Sequence, residues 1–223
     1  QVSASEVCQL NQKIYKFNFL YSLNISATIL AAGSSERMES VNKLLLPYKG
    51  EALIKIVSKT LIDSLLDPVF VVIGFEHNKV AKSIPKSLDK VIYNKDWRKG
   101  MGKSINKAIS SLPANIDGNM IVLGDMPLIT VKTLNELKSV FLSNNGEKII
   151  YAEYLGKQAN PVIFPKKYFK EMLLLKGENG CKDIISQNRK NTIGVSVDSS
   201  EVIFDCDTKG DYSDLLSKMS TNV

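Results

Sequence analysis

The sequence predicts a three-layer α/β/α domain built on a mostly parallel, Rossmann-like sheet. Short apolar runs rich in β-branched residues alternate with longer stretches in which apolar residues recur at helical spacing. Four of these runs are almost continuously apolar, as strands covered on both faces require. The chain has 223 residues, 44% of them hydrophobic, which is enough for one such domain with a sizeable core.

The predicted strands follow one another from residue 25 onward. The five earlier strands are expected at 26–32, 68–74, 90–94, 119–125 and 148–154. Three further strands are expected at 160–165, 192–198 and 201–207. Each run is bounded by turn-forming residues, which separates it from the helical stretches on either side.

Helices are predicted between and after the strands. They are expected at 51–66, 103–112, 130–143, 166–175 and 209–219. Strands that alternate with helices in this way form right-handed βαβ units. One domain is therefore predicted over residues 25–223. Residues 1–24 are predicted to be an N-terminal extension, either a helix or strand leaning on the domain or a partly disordered segment.

The composition limits the chemistry that the chain can perform. Its three cysteines (Cys8, Cys181 and Cys206) are far apart, and His77 is its sole histidine. A Cys/His zinc site and a Ser-His-Asp triad are therefore not expected. The net charge of +6 suits anionic small molecules, but the lysines are scattered, so no nucleic-acid partner is predicted.

No membrane partner is predicted either, because no apolar run approaches the ~20 residues that span a bilayer. The apolar N-terminal stretch is interrupted by Asn18, Ser22, Asn24 and Ser26, which disfavours a signal peptide. A cytoplasmic location is expected.

The loop after the first strand is predicted to bind phosphate. Ala31, Ala32 and Gly33 let a ligand approach the backbone, and the N–H groups from Gly33 to Ser35 can form an anion-binding concavity, in which Ser34 takes part. Arg37 and Lys43 then supply two cations within reach of a phosphate chain. The alternative is an ordinary small-residue turn followed by surface charges.

Asp125 is predicted to hold a magnesium ion. It lies at the carboxyl end of an apolar strand, where ligands of open α/β sheets bind, and Pro127 ends the strand just after it. Mg²⁺ prefers carboxylate and phosphate oxygens. Asp125 could instead cap the following helix, but Thr130 is better placed for that.

A second carboxylate for the same metal is predicted near the C-terminus. Asp205 and Asp207 would lie on one side of the predicted 201–207 strand. Asp207 is the first choice, and its alternative role is to cap the last helix.

These motifs resemble those of the molybdenum-cofactor nucleotidyltransferases, members of the GT-A-like, Rossmann-related group. The family's first loop, Leu-Ala-(Ala/Gly)-Gly-x-Ser-x-Arg-Met-Gly with a later Lys, is matched at Leu30, Ala31, Ala32, Gly33, Ser35, Arg37, Met38 and Lys43. Its Gly-Asp-Met-Pro is matched at 124–127, and its Asp-x-Asp-Thr-x-x-Asp is matched at Asp205, Asp207, Thr208 and Asp211. Two positions depart from the pattern, because Glu39 replaces a glycine and Glu178 stands where an aspartate is usual.

The resemblance also implies a role for the segment GMGKSI at 100–105. It implies that Gly100, Met101 and Ser104 help to hold the nucleotide base and sugar. The Gly-Lys-Ser ending is shared with P-loops, but Trp97 stands where a P-loop needs its first glycine. A P-loop NTPase is therefore disfavoured.

The resemblance implies an Mg²⁺-dependent enzyme that transfers CMP or GMP from CTP or GTP to molybdenum-bearing molybdopterin and releases pyrophosphate. Ala32 in the first loop is associated in this family with CTP. Two alternatives stay open: the acceptor could be a sugar phosphate, polyol phosphate or phospholactate, or the chain could be a non-catalytic module that delivers cofactor to a molybdenum-dependent oxidoreductase.

Overall fold

A computed structural model describes residues 23–38 and 41–220 of the chain. The N-terminal extension predicted for 1–24 lies almost wholly outside the described residues, as does Glu39. In chain order the strands are β1 (Ile25–Ala31), β2 (Pro47–Tyr48), β3 (Glu51–Ala52), β4 (Val69–Ile73), β5 (Lys90–Tyr93), β6 (Gly118–Leu123), β7 (Ile149–Tyr154), β8 (Lys157–Pro165) and β9 (Thr192–Ser196). The α-helices are α1 (Leu53–Ile62), α2 (His77–Ser83), α3 (Met101–Ile109), α4 (Val131–Ser143), α5 (Phe169–Met172), α6 (Lys182–Gln187) and α7 (Lys209–Ser220).

Seven strands form the central sheet in the order β5-β4-β1-β6-β8-β7-β9. The strands from β5 to β6 are parallel, and β7 is parallel to β9. Only β8 runs antiparallel to its two neighbours in this sheet of the described chain. The mostly parallel sheet predicted from the alternating pattern is therefore confirmed.

Helices cover both faces of the sheet, which gives the predicted three layers. Alternate residues of a strand point to opposite faces, so Ile29 joins the core under α1 and α4 while Leu30 joins the core under α3 and α5. In α1 the buried apolar residues follow helical spacing, as at Leu53, Val57 and Leu61. Each such leucine contributes roughly 2 kcal/mol when it leaves water.

The prediction of a strand at 201–207 is wrong. Residues Ser200–Val202 form a single 3₁₀ turn, and the chain then runs without strand pairing to α7. The backbone N–H of Cys206 donates to the carbonyl of Asp125 (3.0 Å), so this segment crosses the ends of the strands. Phe204 and Cys206 pack into a small separate cluster with Leu215, whereas Val202 belongs to the main core under α1 and α4.

Other differences concern the lengths of helices. The segment predicted as one helix at 166–175 starts with a 3₁₀ turn at Lys166–Tyr168 and ends at Met172. The prediction also missed α2 and α6, which have seven and six residues. In the described part of the chain, no helix is both long and apolar enough to cross a membrane.

The fold brings two of the predicted motifs together. β1 and β6 are adjacent and parallel, with Leu30 paired to Leu123 in register. Their carboxyl ends therefore place the loop that starts at Ala32 beside the turn that carries Asp125.

Candidate active site

A cleft of about 630 Å³ opens at the carboxyl ends of β1 and β6. It is lined by most of the residues that the sequence singled out, namely Leu30, Ala31, Ala32, Gly33, Ser34, Ser35, Arg37, Lys43, Met101, Ser104, Asp125, Asp205 and Asp207. Gly100, which directly precedes Met101 in the chain, is not among the lining residues. The residues that the motifs implicate are therefore collected in one cleft, although they are distant in sequence.

The loop after β1 presents backbone donors to the cleft. Within the described part of the chain, the N–H groups of Gly33, Ser34 and Ser35 donate to no protein acceptor. Ser35 has a φ of 57°, which bends the loop back, and its Oγ accepts a hydrogen bond from the Lys43 N–H (3.2 Å). The loop can therefore bind an anion with amides that are otherwise unused.

Lys43 lies between two carboxylates. Its ammonium contacts Asp125 Oδ2 and Asp207 Oδ1, and its side chain is only 15% exposed. Burial lowers the pKa of Lys43, but the charges and hydrogen bonds of Asp125 and Asp207 outweigh this effect, so its pKa is raised. Lys43 is therefore a permanent cation at neutral pH.

Asp125 is held at the end of β6 with one oxygen unused. Its side chain is 10% exposed, and Oδ1 is buried with no hydrogen-bond partner among the described residues. Thr130 caps α4 by accepting the N–H of Thr133 (3.2 Å), so Asp125 has no capping role. An unpartnered buried carboxylate oxygen is costly, and a cation ligand would satisfy it.

Asp207 is also free of a capping role. Thr208 and Asp211 form a capping box at the start of α7, in which Asp211 Oδ2 accepts the N–H of Thr208 (2.7 Å) and Thr208 Oγ1 accepts the N–H of Asp211 (3.1 Å). The hydrogen bond from the Thr208 hydroxyl is the main cause of a lowered pKa at Asp211. Asp207 instead faces the cleft, where its Oδ2 accepts a hydrogen bond from Arg37 (2.9 Å).

Asp205 also lines the cleft, but it makes no contact with Lys43. Partial loss of solvation, followed by the charges of Asp125 and Asp207, raises the pKa of Asp205. Asp125 and Asp207 therefore share Lys43 as a partner, and the assignment of Asp207 as the second metal ligand stays a prediction.

The carboxylates fit a divalent cation that shares its coordination with phosphate and water. Among the residues that the structure describes, no three His, Cys, Asp or Glu side chains cluster closely enough to form a metal site of their own. Asp125 and Asp207 nevertheless converge on a single cation, the Lys43 ammonium. Mg²⁺ is commonly bound in this way, by one or two carboxylates and substrate phosphates.

The segment that resembles a P-loop is built differently from one. Gly100 has a φ of 100°, and a Cβ there would lie 2.5 Å from the carbonyl group of Gly177, so only glycine fits. Lys103 is not among the residues that line the cleft. Trp97 lies against Gly74 and Phe75, where it supports the cleft wall.

Asn94 was missed by the sequence analysis, and Glu178 was named there only as a departure from the family pattern. Asn94 is buried and donates from Nδ2 to Ser104 Oγ (3.1 Å), which fixes the first turn of α3 against β5. Glu178 accepts the backbone N–H of Met101 (3.3 Å) through Oε2. The position of Asn94 at the end of the predicted strand 90–94 was a usable signal.

A second cavity of about 410 Å³ adjoins the cleft. The two share Leu30, Met101, Leu123, Glu178 and Asp205. The further lining of the second cavity is largely apolar, with Ile105, Ile121, Met126, Ala159, Val162, Phe164, Ile185, Val202 and Ile203 beside a few polar groups. A flat ring system would suit such a lining better than a polyhydroxylated sugar.

The family model described as the MobA-like NTP transferase domain matches residues 27–192. The purine catabolism protein PucB of Bacillus subtilis is 31% identical over 202 residues, which are 86% of this chain and 95% of that protein.

Solved structures have the same fold. A nucleotidyl transferase from Methanothermobacter covers 89% of this chain and 99% of its own, with a TM-score of 0.76 and 19% identity. Rv0371c of Mycobacterium tuberculosis, solved in complex with manganese, covers 87% of this chain and 98% of its own, with a TM-score of 0.75 and 24% identity. These likenesses confirm the predicted nucleotidyltransferase-type α/β architecture.

Proposed function

The chain belongs to the family of MobA-like NTP transferase domains and is a nucleotidyltransferase; we propose that it transfers CMP from CTP to a phosphate of the molybdenum-molybdopterin cofactor and releases pyrophosphate. GTP is the alternative donor. The observation that carries the proposal is the convergence of Lys43, Asp125 and Asp207 on one point beside the free amides of the Gly33 loop.

The transfer needs positioning and charge neutralisation rather than a covalent enzyme intermediate. An oxygen of the acceptor phosphate attacks the α-phosphorus of the nucleotide, and the bond from that phosphorus to the bridging oxygen of the β-phosphate breaks. The electron pair leaves with pyrophosphate. Because negative charge grows on the leaving group, cations and N–H groups aimed at it lower the barrier.

The side chains of the cleft have separate roles in this scheme. The amides of Gly33, Ser34 and Ser35 hold triphosphate oxygens, while Arg37 and Lys43 neutralise the leaving pyrophosphate. Arg37 is suited to this because its side chain is 73% exposed and can turn from Asp207 to a ligand.

Asp125 and Asp207 would hold a divalent metal, for which we propose Mg²⁺. When bound, this ion supplies a positive charge that neutralises the triphosphate. The buried, unpartnered Oδ1 of Asp125 supports this role. A divalent ion is also supported by the structure of the similar Mycobacterium tuberculosis protein, which was solved with manganese.

The choice of CTP rests on Ala32. This residue is 5% exposed, lines the cleft, and accepts the N–H of Phe75 through its carbonyl (3.1 Å). Its methyl group narrows the cleft where Gly100, Met101 and Ser104 would hold the base and sugar, which disfavours the larger purine. One carbon in a pocket is worth only about 1–3 kcal/mol.

The acceptor would enter through the second cavity. Its apolar walls support a molybdopterin-type ring over a sugar phosphate, polyol phosphate or phospholactate. A molybdenum-dependent oxidoreductase would then receive the nucleotide-bearing cofactor.

A screen for pyrophosphate release tests the proposal. The four nucleoside triphosphates are each combined with Mg²⁺ and with molybdenum-loaded molybdopterin, a sugar phosphate, a polyol phosphate or phospholactate. Release with CTP and molybdopterin is expected. Release only with another acceptor would refute the acceptor, and binding of CTP without turnover would favour a delivery module.

A further inference from the structure

Lys43 occupies the point between two carboxylates where a divalent ion would be expected. Its ammonium contacts both Asp125 and Asp207, and all three side chains are at least two-thirds buried. An incoming ion cannot share these oxygens with an ammonium at contact distance, because like charges at that separation repel strongly in a partly buried site. Metal and lysine must therefore compete for the carboxylates.

The four charged side chains that contact one another at this point balance, and the nearby carboxylate of Asp205 adds one negative charge. Arg37 and Lys43 supply two positive charges, and Asp125 and Asp207 supply two negative charges, through the contacts described above. A divalent ion added alone would leave the cluster with excess positive charge. A triphosphate that arrives with the ion removes this excess, since its own charge is negative.

The ammonium of Lys43 can also reach the phosphate-binding loop. The backbone N–H of Lys43 is tied to Ser35 Oγ (3.2 Å), which fixes the start of its side chain beside the loop of free amides. The flexible four-carbon stem can then carry the ammonium from the carboxylates to a phosphate held by that loop without movement of the backbone.

We propose that Lys43 is an exchangeable cation that occupies the metal position until nucleotide binds. On this account, which rests on the proposed function, Lys43 moves to the triphosphate as the metal takes its place on Asp125 and Asp207. The enzyme therefore binds metal weakly by itself and tightly together with nucleotide. Because of this coupling, the metal binds the carboxylates only when a triphosphate is bound as well.

The test measures Mn²⁺ binding without nucleotide, by the electron paramagnetic resonance signal of the free ion. Lys43→Met removes the competing ammonium and is expected to bind Mn²⁺ at least tenfold more tightly than the wild type. Lys43→Arg keeps a cation there and should bind as weakly as the wild type. Lys103→Met is the matched control, because Lys103 lies outside the cleft lining, and it should not differ from the wild type.

Thermal unfolding gives an independent reading and shows that the variants are folded. Mn²⁺ alone should raise the melting temperature of Lys43→Met but not that of the wild type, and Asp125→Asn in the Lys43→Met background should abolish the rise. Equal Mn²⁺ affinity of the wild type and Lys43→Met would overturn the exchange while leaving the proposed function intact. Failure of the wild type to bind CTP together with Mn²⁺ would overturn both the exchange and the proposed function.

Discussion

Replacement of Asp125 by asparagine should disable transfer while leaving the fold intact. Asp125 is 10% exposed at its side chain and contacts the buried ammonium of Lys43. In the reacting complex the cation that faces Asp125 would be the proposed metal in place of Lys43, and even two unit charges about 4 Å apart attract by roughly 4 kcal/mol at an effective dielectric of about 20. The asparagine amide keeps one oxygen that can face the cation, and its burial costs less desolvation than that of a carboxylate. We therefore expect a net loss of about 3 kcal/mol of transition-state stabilisation.

That loss corresponds to a decrease in kcat/KM on the order of 100-fold. The stability cost should be smaller, because Lys43 keeps Asp207 as a partner. The new amide nitrogen would replace an oxygen that has no hydrogen-bond partner, and a buried unsatisfied donor costs about 1–3 kcal/mol. The melting temperature should therefore fall by roughly 2–12 °C, with the variant still folded.

Pyrophosphate release and a thermal melt on the same preparation measure both effects. A folded Asp125→Asn variant with wild-type turnover at saturating Mg²⁺ would refute the role of this carboxylate. A variant that is inactive because it is unfolded would refute the stability reasoning.

Three further predictions concern the same cleft. Lys43→Ala should lose most nucleotide affinity and turnover, while Lys103→Ala should stay near wild type; a severe effect of Lys103→Ala would restore the P-loop interpretation. Asp207→Asn should impair turnover in the way Asp125→Asn does, whereas Asp205→Asn should be mild, because Asp205 has no contact with Lys43; the reverse ranking in steady-state kinetics would exchange their roles. Ala32→Gly should reduce the preference for CTP over GTP by about tenfold in kcat/KM; a wild type that prefers GTP would contradict the Ala32 argument without affecting the transferase activity.

The strands of the central sheet could be predicted because their sequence pattern is a direct consequence of burial. A strand such as β1, covered by helices on both faces, buries all seven of its residues, and its two polar side chains, Ser26 and Thr28, accept hydrogen bonds from Asn119. The 201–207 run has a similar local pattern, but Phe204 and Cys206 pack into a separate small cluster and Ile203 is 49% exposed. Local pattern alone cannot distinguish these two environments.

Short helices were harder to predict because they bury too few residues to leave a pattern in the sequence. α2 buries only Val80, and it starts after Glu76, which has a φ of 46°. One buried residue produces no helical periodicity that could be detected in the sequence. The formation of α2 depends instead on contacts made by the folded chain.

The residues of the site could be selected from the sequence, but their contacts could not. Motifs after strands pointed to Lys43, Asp125 and Asp207, yet these contacts join residues 82 and 164 positions apart. Sequence reasoning assigned the lysine to phosphate and the carboxylates to metal, as separate groups. Their mutual contact, on which the exchange proposal depends, follows from the register of β1 beside β6 and from the path of the 203–207 segment.

Nucleotidyl transfer can be followed with CTP that carries a radioactive α-phosphate, incubated with Mg²⁺ and molybdenum-loaded molybdopterin. We expect the label to move to the acceptor and one pyrophosphate to be released for each label transferred. Release of inorganic phosphate from the γ-position, with the label left on CDP, would contradict nucleotidyl transfer and would indicate a nucleoside triphosphatase.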